Sequence, residues 1–348
     1  MLKRTCGLFL AALAVPAVHA ETVDLAHPHI ISKLVSVEDA VAINDDWVVG
    51  SSYSMTNAPT GFYLFNARTK AFETIKGGIA SRFDRKAFPT CPGAPDFKTL
   101  STHGVDYYPE RKRLYLVNHG GRESVEVFDV ALTGGKPHFT WVGCAVAPAN
   151  TYPDAVAGLA DGGMIVTSLW NPNDPTRNDK MKAAAPLGGV FKWSPVAGWS
   201  TVPGTADFSG PNGVLATRDG KTIYVNLYAG KQVARVDLSG GHATVRLASV
   251  PYLADNIRWN SRGTAIYVGG QAESLDTMFK CYAAPFPGCK TIKFQINLLD
   301  PKTMTMSVVV PAGTYQGMSA GTGAIDLNKE LWVTSFKDDD IAIFPITG

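Results

Sequence analysis

Charge is scarce in this sequence. Only 18% of its residues are Asp, Glu, Lys or Arg, and 32 basic against 30 acidic side chains leave a formal charge of +2. A chain this close to neutral points to neither nucleic acid nor a polybasic membrane contact. Long apolar runs are also missing: beyond the first twenty residues none is long enough to span a bilayer. Ser51, Ser52 and Ser335 lie in strand-like stretches without a Gly-x-Ser-x-Gly elbow, which argues against a serine hydrolase built on them. Cysteines are few, and no pair has zinc-finger spacing. Glycine and proline are plentiful instead, 34 and 22 residues spread along the chain. That spread excludes a disordered chain, a coiled coil and a long-helix bundle, and suits short strands joined by tight turns.

Residues 1–20 read as a secretory signal: a basic start at Lys3 and Arg4, an apolar stretch from Cys6 to Val15, and a small-residue cleavage site at Val18 to Ala20. Cys6 does not directly follow that site, so no lipid anchor is expected. The mature chain, residues 21–348, is then exported, periplasmic or secreted, with no transmembrane segment. Four cysteines remain, Cys91, Cys144, Cys281 and Cys289, an even number in an oxidising compartment, where disulfides are expected. Cys281 and Cys289 flank a short loop and have the spacing of a local clasp. A Cys91–Cys144 bond would tie two distant segments, and the connectivity stays open.

One unit recurs along the chain: a short β-rich strand, a turn, then a second alternating strand. Its six copies are Trp47 to Gly50 with Gly61 to Phe65, Leu114 to Asn118 with Ser124 to Asp129, and Met164 to Thr167 with Gly189 to Trp193. They continue as Thr222 to Asn226 with Gln232 to Asp237, Ala265 to Gly269 with Lys293 to Asn297, and Leu331 to Thr334 with Asp340 to Phe344. Turns such as Arg218 to Lys221 and Ser261 to Gly263 place glycine where a hairpin needs positive φ. Six copies in one mature chain predict an all-β, six-bladed β-propeller forming a single domain over residues 21–348. The segment Val23 to Leu34 precedes the first copy and is expected to complete the last blade and close the ring.

Polar residues recur at one phase, just before the innermost strand of each copy: Glu38 and Asp39, His103, Asp154, Asn212, Asp255 and Asn256, and the Gly321 to Gly323 turn. Singly each reads as a turn former. Converging on one axis, their carboxylates and amides form the oxygen-rich donor set of a hard cation such as calcium, which makes the tunnel metal-binding. Trp170, Asn171 and Tyr228 follow innermost strands and are placed to line the mouth or pack within a blade. Lys180 to Lys182, with the alanines after them, read as a short loop helix over the mouth with a solvated face. Asp338 to Asp340 read as a solvent-exposed hairpin turn.

At these motifs the sequence resembles the paraoxonase-type lactonases and arylesterases, relatives of the gluconolactonase and senescence-marker (SMP-30) propellers. The likeness rests on Val37-Glu38-Asp39, His103-Gly104-Val105, Leu116 to His119 followed by Ser124 to Phe128, Asp154 to Ala157, Pro211 to Val214 followed by Asp219 to Lys221, and Asp255-Asn256-Ile257. In order and phase these cover nearly the whole mature chain. The resemblance implies two calcium ions. A structural one would be held by Asp39, Asp154 and the carbonyl of Val105, and a catalytic one by Glu38, Asn212, Asp255 and Asn256. Pro153 stands where the family has a further amide ligand, so Asn150, Thr151 or a water would have to substitute. His103 and His119 match a dyad beside the catalytic ion and are the implied catalytic residues, one imidazole taking a proton from water and the other fixing its tautomer.

The resemblance therefore implies a calcium-dependent hydrolase of lactones or aryl esters acting on a small-molecule substrate. A non-catalytic propeller that binds a ligand or protein at the same mouth is the alternative from another class, favoured by Pro153. A metal-independent propeller enzyme of the strictosidine-synthase type is a third, opposed by the Glu38, Asn212 and Asp255 set.

Overall fold

The alternating strands pair into six antiparallel sheets, the blades of a six-bladed propeller. The structure is a computed structural model that describes residues 21–348. The signal-peptide reading of residues 1–20 lies outside the described residues. The innermost strands are Ala40–Asn44, Thr102–Tyr108, Pro153–Gly158, Pro211–Ala216, Leu253–Trp259 and Gly321–Leu327. Each touches the next around a closed ring, and the last touches the first. Four of them are buried along their full length, while the outer strand His242–Ser249 alternates between covered and exposed positions. This gradient follows from stacking blades on both faces of a sheet near the axis and on neither at the rim.

The N-terminal segment closes the ring as expected: His29–Ile31 pairs antiparallel with Ile341 to Ile343 of the last blade. The turn glycines also hold, Gly220 at φ 68° and Gly263 at φ 65°, in the region that only glycine enters freely. Trp141, Trp193 and Trp332 are fully buried within blades. Fully burying an apolar side chain contributes roughly 1.5–3 kcal/mol, so the ring rests on many such contacts spread along the chain.

Five innermost strands break register at one phase: between Thr102 and Val105, Pro153 and Val156, Pro211 and Val214, Ala254 and Ile257, and Gly321 and Ala324. The residues inside these breaks are His103-Gly104, Asp154-Ala155, Asn212-Gly213, Asp255-Asn256 and Thr322-Gly323. A bulge re-aims side chains, and these are the polar residues that recur in the repeat. The glycine in such a pair has a packing reason. A Cβ at Gly104 would strike the Asp154 carbonyl oxygen, and one at Gly213 that of Asp255, so neighbouring strands could not approach.

Two helices lie at the mouth end: α1 (Arg177–Lys182) and α2 (Leu275–Ala283). Their buried Met181 and Met278 pack in one cluster with Tyr53, Leu169, Tyr228 and Phe336 of the mouth. Lys182 Nζ bonds Asp276 Oδ1 at 2.6 Å and so links the helices, whereas Lys180 bonds Asp174 beside its own helix. Ser274 caps the start of α2, its Oγ accepting from Thr277 N at 3.1 Å. At the other end of α2, Lys337 Nζ donates to the carbonyls of Cys281, Tyr282 and Ala284. Disulfides join Cys281 to Cys289 and Cys91 to Cys144, across separations of 8 and 53 residues. In the chain-entropy account these contribute about 2.5 and about 4 kcal/mol. Two disulfides fit an oxidising, extracytoplasmic compartment.

The reading of Asp338 to Asp340 as a solvent-exposed turn is corrected. The residues do form the turn before the last strand, but Asp338 is fully buried, accepting from Ser319 N and Oγ. Lys290 Nζ bonds all three carboxylates. The acidic run therefore carries its own counterion, brought by the fold from a distant loop.

Candidate metal and hydrolytic centre

Glu38, Asp154, Asp255 and Asn212 come from four blades and line one cavity at the mouth with His103 and Gln271. All three carboxylates are buried. No Lys or Arg is among the lining residues. Burial pushes the Glu38 carboxyl well above the ordinary range, and the neighbouring charges of Asp255, Asp39 and Asp154 push it further. Asp154 is raised in the same way, first by burial and then by Asp255 and Asp39. Burial raises Asp255 to about 7, opposed by the hydrogen bond from Gln271. Three buried acids without a basic partner are costly unless a cation joins them.

The donor atoms fit that cation. Glu38 Oε2, Asn212 Oδ1 and Gln271 Oε1 are buried oxygens without a hydrogen-bond partner. Oxygen donors of this kind, carboxylate and amide, suit calcium rather than zinc. Gln271 was not visible as a site residue in the sequence. Its Nε2 donates to Asp255 Oδ2 at 2.6 Å and to the Gly321 carbonyl at 3.2 Å, while its Oε1 is buried and without a partner. Gln271 thus offers a buried amide oxygen, which Pro153 lacks. Asn150 and Thr151 do not, because Asn150 Oδ1 accepts from Asn173 and Thr151 Oγ1 donates to the Pro148 carbonyl.

Asn256 braces Glu38, donating from Nδ2 to its carbonyl at 2.8 Å and to Oε1 at 2.7 Å. Asn226, from the neighbouring strand, donates to the carbonyls of both Asp255 and Asn256 and pins their bulge. Thr322 Oγ1 donates to the Glu38 carbonyl at 2.6 Å. Glu38 and Asp255 are thus held by neutral donors, and Glu38 Oε2 is left without a partner.

The residues of the second expected set, Asp39, Asp154 and Val105, have these surroundings. Asp154 faces the mouth cavity. Asp39 Oδ2 and the Val105 carbonyl instead both accept from Arg258 Nη2. Asp39 accepts further from Val105 N and Ala40 N, each at 2.9 Å. Burial raises its carboxyl, and Arg258 and these amides oppose the rise.

The two histidines do meet. His103 Nδ1 lies 3.0 Å from His119 Nε2, and His119 Nδ1 lies 2.6 Å from Glu123 Oε2. His103 Nε2 is 3.5 Å from Glu38 Oε2. A carboxylate only accepts, so His119 carries its proton on Nδ1 and accepts at Nε2. His103 then donates from Nδ1, which leaves its Nε2 lone pair directed at the mouth. Burial holds the His103 imidazole well below its ordinary range, which favours its neutral form. Tyr53 stacks on His103 with ring centroids 4.1 Å apart, and Tyr152 on His119 at 4.2 Å. The two tyrosine hydroxyls bond at 2.8 Å and lock the stack.

Tyr53, Met55, Tyr152, Trp170, Tyr228 and Phe336 surround this chemistry. Of the aromatics singled out by position, Trp170 and Tyr228 line the mouth. Asn171 instead caps a turn through its bond from Asn173 N. Ser335 is fully buried and is not among the lining residues. The free volume at the mouth is only about 40 Å³. A larger cavity of about 570 Å³ opens at the opposite end of the axis, but two of its three acids are already bonded, Asp106 to Arg218 and Asp326 to Ser261, and the third, Asp45, is exposed. The buried acids without a basic partner are therefore at the smaller opening.

No protein-family model and no curated protein matches the chain. Solved structures do. A gluconolactonase from Xanthomonas campestris, described as important in glucose secondary metabolic pathways, superposes with a TM-score of 0.56 at 15% identity, over 98% of this chain and 100% of that one. A structural-genomics protein of unknown function from Bacteroides thetaiotaomicron superposes with a TM-score of 0.55 at 10% identity, over 94% of this chain and 75% of that one. At these identities the likeness is one of fold, and the fold shared with these proteins is the six-bladed propeller.

Proposed function

We propose that this chain is an exported, calcium-dependent hydrolase of lactones or aryl esters, with His103 as the base. The observation that carries the reading is the directed chain Glu123, His119, His103. It ends in a lone pair that faces the mouth, 3.5 Å from an unpartnered oxygen of Glu38. Glu38, Asp154, Asn212, Asp255 and Gln271 would hold the ion, with Asn256 bracing Glu38. When bound, calcium supplies a Lewis acid that polarises the substrate carbonyl and stabilises developing negative charge.

The chain's own residues do the rest. His103 takes a proton from water at Nε2, and the positive charge that forms is shared along its bond to His119 and met by the Glu123 carboxylate. Glu123 is about one-third exposed, so the relay reaches solvent. Tyr53 and Tyr152 each stack on one imidazole and fix its ring orientation for this transfer. The apolar roof excludes competing water and suits a substrate with an apolar ring or chain. Such a substrate is larger than the free volume at the mouth, so Met55 and Phe336 must shift to admit it.

The filled mouth favours a second reading, a propeller that binds a ligand there without turnover. One experiment separates the two: hydrolysis of a panel of aliphatic lactones and aryl acetates by the purified protein, with and without chelator. Calcium-dependent turnover that His103→Gln removes supports the enzyme. Calcium binding with no turnover of any panel member supports the binding propeller.

A further inference from the structure

The middle of the tunnel carries a permanent cation. Arg258 lies two residues after Asn256 on an innermost strand, where alternation returns its side chain to the axis. It is 5% exposed. Its guanidinium reaches three blades. Nη2 bonds the Asp39 carboxylate and the Val105 carbonyl, Nε donates to the Ala40 carbonyl at 3.3 Å, and Nη1 donates to the Ile257 carbonyl at 3.1 Å. Asp39 and the Val105 carbonyl are two of the three groups that the resemblance assigns to a structural calcium. Both are bonded to Arg258, and neither Asp39 oxygen is among the buried atoms without a partner. The third, Asp154, points to the mouth.

Arg218 repeats the device nearer the far end, bonding Asp106 and the carbonyls of Gly158 and Tyr107. A guanidinium stays charged at any working pH, presents five donors in a plane, and can tie carboxylates and carbonyls of different strands as an ion does.

We propose that Arg258 takes the place of the second cation: a built-in cross-link that ties three blades at mid-tunnel. The protein therefore folds without metal, and it takes up one calcium, at the mouth, rather than two. The single-ion count rests on the mouth reading given above; the cross-link does not.

The test has two parts, both on the full mature protein. Calcium uptake is counted by calorimetric titration after chelation, and melting is followed in chelator for Asp39→Asn, Arg258→Met and the double variant. One equivalent of calcium supports the proposal. None also supports it, while overturning the mouth reading. Two equivalents overturn it. In chelator each single variant is expected to lose about 5–10 °C of melting temperature, because each leaves a buried charge or donor without its partner. The double variant is expected to lose less than either single one. If a single variant does not fold and the double one does, the coupling is shown more strongly. A double variant that loses the sum of the two, or that alone fails to fold, overturns the cross-link. Arg258→Met is further expected to bind one equivalent more calcium than the parent, at the oxygens it frees.

Discussion

Glu38 and Asp39 are neighbours in sequence, both buried at the same tunnel, and they face opposite electrostatic situations. Glu38 belongs to the mouth, where three carboxylates gather with no basic side chain and one of its oxygens has no partner. Asp39 belongs to the layer below, where Arg258 and two backbone amides use its carboxylate. On the proposed reading one layer would receive a cation, whereas the other already contains one, the Arg258 guanidinium. Satisfied charges hold a fold, whereas unsatisfied ones are retained where a ligand completes them. On the proposed reading the mouth is the region for chemistry and the mid-tunnel layer the region for stability, and substitutions should separate the two.

The largest effect is expected at the base. His103→Gln should lower kcat/KM by about 10²–10⁴-fold, up to ~5 kcal/mol of transition-state stabilisation, with calcium content unchanged. Steady-state kinetics alongside metal analysis checks this, and loss of calcium with the imidazole would make His103 a ligand. Next is Asp39→Ala, which leaves Arg258 buried without its carboxylate. It should cost about 3–5 kcal/mol in urea unfolding measured in chelator. Glu123→Gln should lower kcat/KM by about 10–100-fold, because His119 then loses the acceptor that fixes its tautomer, and Glu123→Asp should keep most of the activity. Gln271→Leu should weaken calcium binding by about tenfold, read by titration, with melting in chelator little changed.

The smallest effect has the opposite sign and sharpens the contrast most. Glu38→Gln removes one of three mutually repelling buried carboxylates. It should stabilise the metal-free protein by ~1 kcal/mol while abolishing calcium-dependent activity. Adjacent acids would then move stability in opposite directions. Destabilisation by both to the same degree would mean that the two layers do not differ as described.

The blades were legible because the repeat writes itself in two strands per copy, and strand alternation is a local property. The tunnel residues were legible for a related reason: His103, Asp154, Asn212 and Asp255 sit at one phase of that repeat, and the same bulge turns each of them inward. What failed to show was pairing across long separations. Arg258 bonds residues more than 150 positions away, and nothing near it in sequence says that its head finds Asp39 rather than water. Lys290 and Asp338 have the same history: an acidic turn reads as exposed until a distant loop supplies its counterion. Gln271 was missed because it ends the second strand of its blade, outside the phase at which site residues recur. Glu123 stands four residues after His119, a spacing visible in the sequence, but the loop that folds it back onto the ring was not.

The most direct test of the two-layer account is a crystal structure of the mature protein grown with a lanthanide in place of calcium, using the anomalous signal to locate every ion. The account predicts one strong peak on the axis, ringed by oxygens of Glu38, Asp154, Asn212, Asp255 and Gln271, with Arg258 still bonded to Asp39 and the Val105 carbonyl. A peak between Asp39 and Val105 with the guanidinium displaced would contradict it, as would a mouth that takes up no ion.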